Sequence, residues 1–294
     1  MTSGFPTTTA ASSPIRNFLP LNFSCVNFLA ASDIGISPSI NNEVILGISI
    51  ITAAILTARL HISVIEYFAS NPIIAPNISP IIIGSPYVDG KKQYNAAYLL
   101  SSKGEILDIY SKIQLVPFAE YIPFIDNPLV VRFFDKLVGF SSGWNPGTEY
   151  KVFNIKNSEG KTVNFTVPIC FEDAFPAVCL NLHNAGSEVL INITNDSWSK
   201  TKSAEYQHFV VAHFRAIELR TTLVRSTNSG YSVVVDPKGK IISDIPLFEA
   251  ESLYTEVPVY EHKKTFYASY KDWFPIMMFL ILIFNIFLEK RGLN

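Results

Sequence analysis

The fold class this sequence predicts is α/β, with two layers of sheet and helices packed outside them. Three observations carry that expectation. Short apolar runs rich in Val and Ile recur at residues 81–84, 188–193, 223–226 and 231–235, the mark of buried strands. Stretches with helical apolar spacing stand between them, at 175–185 and 203–220. Two hairpin patterns interrupt the alternation, so the strands are not all of the parallel crossover kind.

Taken in order, residues 1–42 are rich in Ser, Thr, Pro and Asn and poor in charge. They lack the basic start and apolar centre of a signal peptide and read as a poorly structured lead-in. Residues 44–58 are almost continuously apolar between Glu43 and Arg59. The run is short against the ~17–25 residues a bilayer span needs, so a buried core helix is expected there. Residues 1–79 therefore form an N-terminal region without a firm assignment.

From residue 80 the pattern sharpens. Strands are expected at 94–100 and 105–110, joined across Ser101-Ser102-Lys103-Gly104. Val130, Phe133, Phe134, Leu137 and Val138 predict a helix over 130–139. A second hairpin joins 150–155 to 163–169 across Asn157-Ser158-Glu159-Gly160. The helix at 175–185 should stop at Gly186, a residue suited to the position just past a helix end. Strand 188–193 runs out at Asn195-Asp196. In the helix at 203–220, Phe209, Ala212, His213, Ala216 and Leu219 share a face. Asp236-Pro237-Lys238-Gly239 turns the chain from strand 231–235 into strand 240–245. Residues 273–288 are apolar on every face, with Trp273 at one end and Glu289-Lys290-Arg291 at the other. A core helix of that kind would need protein all round it, so a transmembrane helix is expected.

Composition narrows the function. Lys and Arg number 23 against 25 Asp and Glu, which leaves no basic field for nucleic acid. Only 16% of residues are charged and 48% are hydrophobic, a balance that points to a membrane. The three cysteines, Cys25, Cys170 and Cys179, make neither a disulfide framework nor a Cys-x-x-Cys zinc site. The spacing of Cys170 and Cys179 fits a disulfide and a strand-end thiol followed by a helix equally well. The five histidines show no metal-ligand spacing, and no metal or cofactor is expected.

Two stretches carry chemistry. Val167-Pro168-Ile169-Cys170-Phe171-Glu172-Asp173 reads as a strand that ends at a thiol followed by two carboxylates. A cysteine there is placed at a sheet rim, where backbone N–H groups favour a thiolate. A small buried hydrophobe is the other reading of the same residue. The second stretch, Tyr110-Ser111-Lys112 through Leu115-Val116-Pro117-Phe118-Ala119-Glu120-Tyr121-Ile122-Pro123-Phe124, resembles the lysine segment of the nitrilase, or carbon–nitrogen hydrolase, superfamily. The run 115–123 is similar to the version found in apolipoprotein N-acyltransferases. Asn195-Asp196-Ser197-Trp198, Arg215-Ala216-Ile217-Glu218 and Arg225-Ser226-Thr227-Asn228-Ser229-Gly230 continue the resemblance in order, and together they span about residue 81 to the C-terminus.

The resemblance implies an αββα sandwich over 80–265, followed by the membrane helix at 273–288. It implies Cys170 as nucleophile, Lys112 as the cation for the oxyanion, and Glu120 as a supporting carboxylate. Phe171, Glu172 and Trp198 would serve substrate binding, with Glu172 also organising the turn after the cysteine. The family's general base is a glutamate at a strand end upstream of the lysine. Glu43 begins an apolar run instead of ending one, and Glu66 lies too close to residue 81, so the base is assigned to neither. The family's membrane bundle ahead of the catalytic part has no counterpart in residues 1–80.

The activity implied is transfer of a fatty acyl group from a phospholipid to the N-terminal diacylglyceryl-cysteine of lipoproteins. The setting is the bacterial inner (cytoplasmic) membrane, and the positive charge after the span places the catalytic domain on the outer, periplasmic side. An anchored amidase and a non-catalytic nitrilase-fold remnant are the alternatives.

Overall fold

The computed structural model describes residues 15–24, 49–51, 80–121, 143–157, 160–197, 199–249 and 251–291, with Pro123 and Arg132 between them. Among these residues two six-stranded sheets face each other. The first contains β1 (Ile15–Ser24), β2 (Ser49–Ile51), β3 (Ile81–Asp89), β4 (Lys92–Leu100), β5 (Ile106–Ser111) and, at its far edge, β12 (Ser252–Tyr260), in the order β12-β1-β2-β3-β4-β5. The second contains β6 (Phe153–Lys156), β7 (Thr162–Thr166), β8 (Val189–Asn195), β9 (Thr222–Asn228), β10 (Ser232–Val235) and β11 (Ile241–Ile245), in the order β11-β10-β9-β8-β7-β6.

The space between the sheets is filled from both sides. Ile82, Leu99 and Tyr110 of the first sheet meet Phe165, Ile191 and Val224 of the second in one buried cluster. Alternate residues face outward and are buried as well. Leu190, Leu223 and Val233 pack under α1 (Pro176–Asn184) and α2 (Lys202–Leu219), together with Ala268 of the short α3 (Phe266–Tyr270). Ile81, Ile83, Ala96, Tyr98 and Leu100 form a third buried cluster on the outer face of the first sheet. Strands buried on both faces read as unbroken apolar runs, and these do.

Several boundaries follow from local chemistry. Asp89-Gly90-Lys91-Lys92 turns β3 into β4 with Gly90 at a φ of 58°, so the strand expected at 81–84 continues to Asp89. Helix α1 starts with Pro176, which has no N–H to orphan, and the chain leaves it at Gly186 with φ 113°. The strand expected at 163–169 ends its ladder at Thr166, because Pro168 has no N–H to give. Residues 167–169 continue beside β8, with Ile169 bridged to Ile193, and Asn192 Nδ2 donates to the carbonyls of Pro168 (3.0 Å) and Cys170 (2.9 Å).

Two N-terminal expectations are corrected. Residues 15–24, read as unstructured lead-in, form a strand paired antiparallel with β12 from Ile15–Tyr260 to Ser24–Ser252. Residues 49–51, read as part of a core helix, form a parallel strand between β1 and β3. A parallel strand and a helix can share one continuous apolar run, and Ile50-Ile51 is β-branched, which favours the strand. The helix expected at 130–139 lies outside the described residues apart from Arg132. The chain ends in α4 (Trp273–Lys290), long and apolar enough to cross a membrane and with none of its residues buried.

Candidate active site

Cys170 opens a single 3-10 turn, Cys170–Ala174, directly after the extended segment. Its φ of 51° puts a non-glycine residue in the left-handed region, a strain the surrounding contacts must hold. The main clamp is Glu172, which is wholly buried. Its Oε1 accepts the backbone N–H groups of Ile113 (2.7 Å) and Gln114 (2.9 Å), and its Oε2 accepts that of Ile169 (2.8 Å). The Tyr110 hydroxyl donates to the same carboxylate at 3.0 Å. Glu172 thus ties the cysteine turn to the segment that follows Lys112. Burial raises its carboxyl above the usual range, while the three N–H groups and Lys112 oppose the rise.

Lys112 stands at the end of β5 and is fully buried. Its main chain is held at both polar groups: its N–H donates to Asn95 O and its carbonyl accepts from Gly147 N–H, each at 2.7 Å. Gly147 is required for that approach, since a Cβ there would collide with Ser111 O. Lys112 Nζ meets Glu120 Oε2 at 2.7 Å. The same oxygen accepts Val116 N–H at 2.8 Å, and Glu120 Oε1 accepts Asn95 Nδ2 at 3.0 Å. The loop after Lys112 folds back on itself, with Pro117 bridged to Tyr121 and Phe118 at a φ of 64°. Val116 and Ala119 then face inward, and Phe118 points to solvent.

These pieces meet at one cavity of about 560 Å³. Cys170, Lys112, Glu120 and Phe171 all line it, and its walls include Ile169, Ile193, Val116 and Trp144. The volume lies within the ~300–1,000 Å³ usual for small-molecule sites. Burial raises the Cys170 thiol above its ordinary value. Lys112 and the Thr194 hydroxyl pull it down, while Asp196 and Asp173 push it up. Cys179 is free, buried in the core of α1, and raised much further by burial. Among the described residues, no group of three or more His, Cys, Asp or Glu is arranged to hold a metal ion.

The residues 75–264 match the model of the carbon-nitrogen hydrolase family. The chain belongs to that family. It is 93% identical over 218 residues to Apolipoprotein N-acyltransferase 2 of Treponema denticola, an alignment covering 74% of this chain and 42% of that protein. It is 50% identical over 208 residues to Apolipoprotein N-acyltransferase 2 of Treponema pallidum, covering 69% and 37%. The chain therefore spans less than half the length of these relatives. Among solved structures, an amidase from Nesterenkonia sp. has the same fold, with a TM-score of 0.54 at 16% identity over 77% of this chain and 82% of that one. The nitrilase-like α/β architecture is thus the fold of this carbon-nitrogen hydrolase, with an apolar C-terminal helix appended.

Of the site residues named from sequence, Cys170, Lys112, Glu120 and Phe171 converge on the cavity. Glu172 is a correction. It was expected at the substrate, but its carboxylate faces inward, because four donors, the Tyr110 hydroxyl and the N–H groups of Ile113, Gln114 and Ile169, converge there. The same bonds tie the cysteine turn to the lysine segment. Trp198, Glu43 and Glu66 lie outside the described residues, and the general base the resemblance implies is assigned to neither glutamate. His208, Asp173 and Arg225 escaped the sequence reading as site residues. His208 and Asp196 line the cavity, and Asp173 and Arg225 stand directly behind them. The available signal was the pair of acids Asp173 and Asp196, each a few residues past a strand and within or beside a stretch singled out in the sequence.

Proposed function

We propose that residues 80–265, completed by strands β1 and β2, are the catalytic unit of a membrane-bound N-acyltransferase that acts on lipoproteins. Cys170 attacks the ester carbonyl of a phospholipid, its proton passes to the departing alcohol, and a thioester forms with release of the lysophospholipid. The α-amine of the lipoprotein's N-terminal diacylglyceryl-cysteine then attacks the thioester, giving the amide and returning the thiol. Lys112, fixed by Glu120, stabilises the negative charge that develops on the carbonyl oxygen. Phe171 and Trp198 serve the acyl chain, and Glu172 holds the turn. Helix α4 anchors the unit in the inner (cytoplasmic) membrane over 273–288. The Lys290-Arg291 end lies in the cytoplasm and the catalytic unit on the periplasmic side.

The observation that carries this reading is the meeting of a thiol and a clamped lysine in a cavity whose walls are largely apolar. A wall that is apolar over most of its area suits an acyl chain better than a small polar amide, so the amidase alternative has less support. The names of the Treponema relatives point the same way. The test is intact and peptide mass spectrometry of the full chain after incubation with phospholipid vesicles. An acyl adduct is expected on Cys170, lost in Cys170→Ala and kept in Cys179→Ala. Labelling that survives Cys170→Ala, or turnover of a small amide with no acyl adduct, would overturn the proposal.

A further inference from the structure

A second charged cluster stands against Cys170, opposite in kind to the Lys112–Glu120 pair. It joins four buried side chains from four elements: Asp173 of the cysteine turn, Asp196 at the end of β8, His208 of α2 and Arg225 of β9. His208 Nε2 lies 2.8 Å from Asp173 Oδ1, and His208 Nδ1 lies 2.8 Å from Asp196 Oδ1. A neutral imidazole has one N–H and one lone pair, so it can donate to only one of these carboxylates. Only the doubly protonated ring satisfies both. Arg225 Nε stands 3.0 Å from Asp173 Oδ2 and its Nη2 3.7 Å from Asp196 Oδ2, which sets one guanidinium against both carboxylates. With an imidazolium the cluster is neutral, and with a neutral ring it carries a net negative charge beside the nucleophile. The ring is also a wall of the cavity, and the Phe171 ring packs on it at 5.0 Å.

We propose that His208 is a positioning residue for the Cys170 reaction: its imidazolium bridges Asp173 and Asp196 and cancels their charge at the thiol. The inference rests on the reading of Cys170 as nucleophile. The groups around the ring fit it. Burial would lower the imidazole, but Asp173 and Asp196 outweigh it and hold it above the ordinary histidine range. Of the other charged groups nearby, Glu172 is bound by Tyr110 and three backbone N–H groups, and Glu120 is bound by Lys112. Glu205, one turn earlier on α2, accepts from Ser199 and Ser229. Lys112 faces the thiol and favours its ionisation, whereas Asp173 and Asp196 oppose it. Without the His208 charge, Arg225 alone would be set against two carboxylates.

The test needs no turnover. The detergent-solubilised full chain is treated with iodoacetamide across a pH series, and alkylation of Cys170 is followed by peptide mass spectrometry. In His208→Gln the titration midpoint should move up by about one pH unit, so that labelling near neutral pH is about tenfold slower while the plateau at high pH is kept. His208→Gln combined with Asp196→Asn removes one charge of each sign and should return the rate to within about threefold of the parent. A merely structural role would expose Cys179 to the reagent or lower the plateau, and the second change would not restore the midpoint. An unshifted midpoint in His208→Gln, or no recovery in the paired variant, overturns the inference. Should His208→Gln not fold, the ¹⁵N imidazole spectrum of the parent decides. One of the five histidine rings keeping both protons at about pH 8 supports the inference, and none doing so overturns it. A parent Cys170 that resists the reagent at every pH overturns the nucleophile reading and this inference with it. A reactive parent with an unshifted variant overturns this inference alone.

Discussion

Two ion-paired clusters flank Cys170, and they differ in what they leave free. In the first, Lys112 meets the single carboxylate of Glu120, whose remaining acceptor capacity is taken by Asn95 and Val116. An ammonium has three donors, so this arrangement fixes the lysine without exhausting it, and the group still lines the cavity. In the second, both ring nitrogens of His208 are committed to carboxylates, and Arg225 is sealed behind them. The lesson is that a buried ion pair can present a charge or bury one. The count of unspent donors facing the cavity separates the two.

Changing the cation on each side should separate function from structure. The largest effect is expected at Lys112→Met. The substitution keeps an apolar stem of similar length but removes the charge set at the developing oxyanion. Removing one such donor typically costs about 10²–10³ in rate. Thioester formation should therefore slow by at least about a hundredfold in single-turnover assays of the folded chain, with the melting transition lowered as Glu120 loses its partner. Lys112→Arg should restore little, because a planar fork does not replace a compact point charge in a closed site. Parent-like rates in Lys112→Met would leave the first cluster without a part in the chemistry.

Arg225→Met should behave in the opposite way. Removing one partner of a buried ion cluster leaves the other charges uncompensated, at a cost of roughly 3–5 kcal/mol. The folded fraction should fall in urea titrations. An Arg225→Met chain of parent stability would remove this ion cluster from the account of what holds the fold.

The smallest effect concerns a cluster remote from both. His183 of α1 and His262 lie with ring centroids 4.2 Å apart. His183 is lowered to about 4, first by burial and then by His262, against the opposing Lys263 carbonyl. Its folded value lies below its unfolded one, so its contribution to stability is complete above about pH 6.5 and is lost as pH falls towards 4. The full loss is on the order of 3 kcal/mol. In His183→Phe the urea midpoint should vary less between pH 6.5 and 4 than in the parent. Identical pH dependence in the two proteins would remove His183 from the account.

What was legible in the sequence follows from range. The 101–104 and 157–160 hairpins, the stop of α1 at Gly186 and the turn at 236–239 are written in a few adjacent residues, and the structure has them. Cys170, Lys112 and Glu120 were legible for a similar reason, since each lies in a short stretch of distinctive order. The Asp89-Gly90 turn was equally local and was overlooked in favour of the four apolar residues before it.

The sequence by itself determined the alternation of strands and helices, the thiol at a strand end, the lysine segment and the apolar C-terminal helix. Only the tertiary structure decided that residues 15–24 and 49–51 are strands, because their ladders are made with β12 and β3, partners distant in the chain that neither stretch records. It also decided which way Glu172 points, inward to the backbone of the lysine segment 58 and 59 residues away. The His208 cluster is the clearest case. Asp173 and His208 are 35 residues apart, and Asp196 and His208 are 12 apart. They meet because β8 and β9 run parallel, with Asn192 beside Arg225, and α2 crosses back over them. Side-chain periodicity records which face of an element is buried. It holds no record of which element will lie across that face, and that is set by crossover connections and packing.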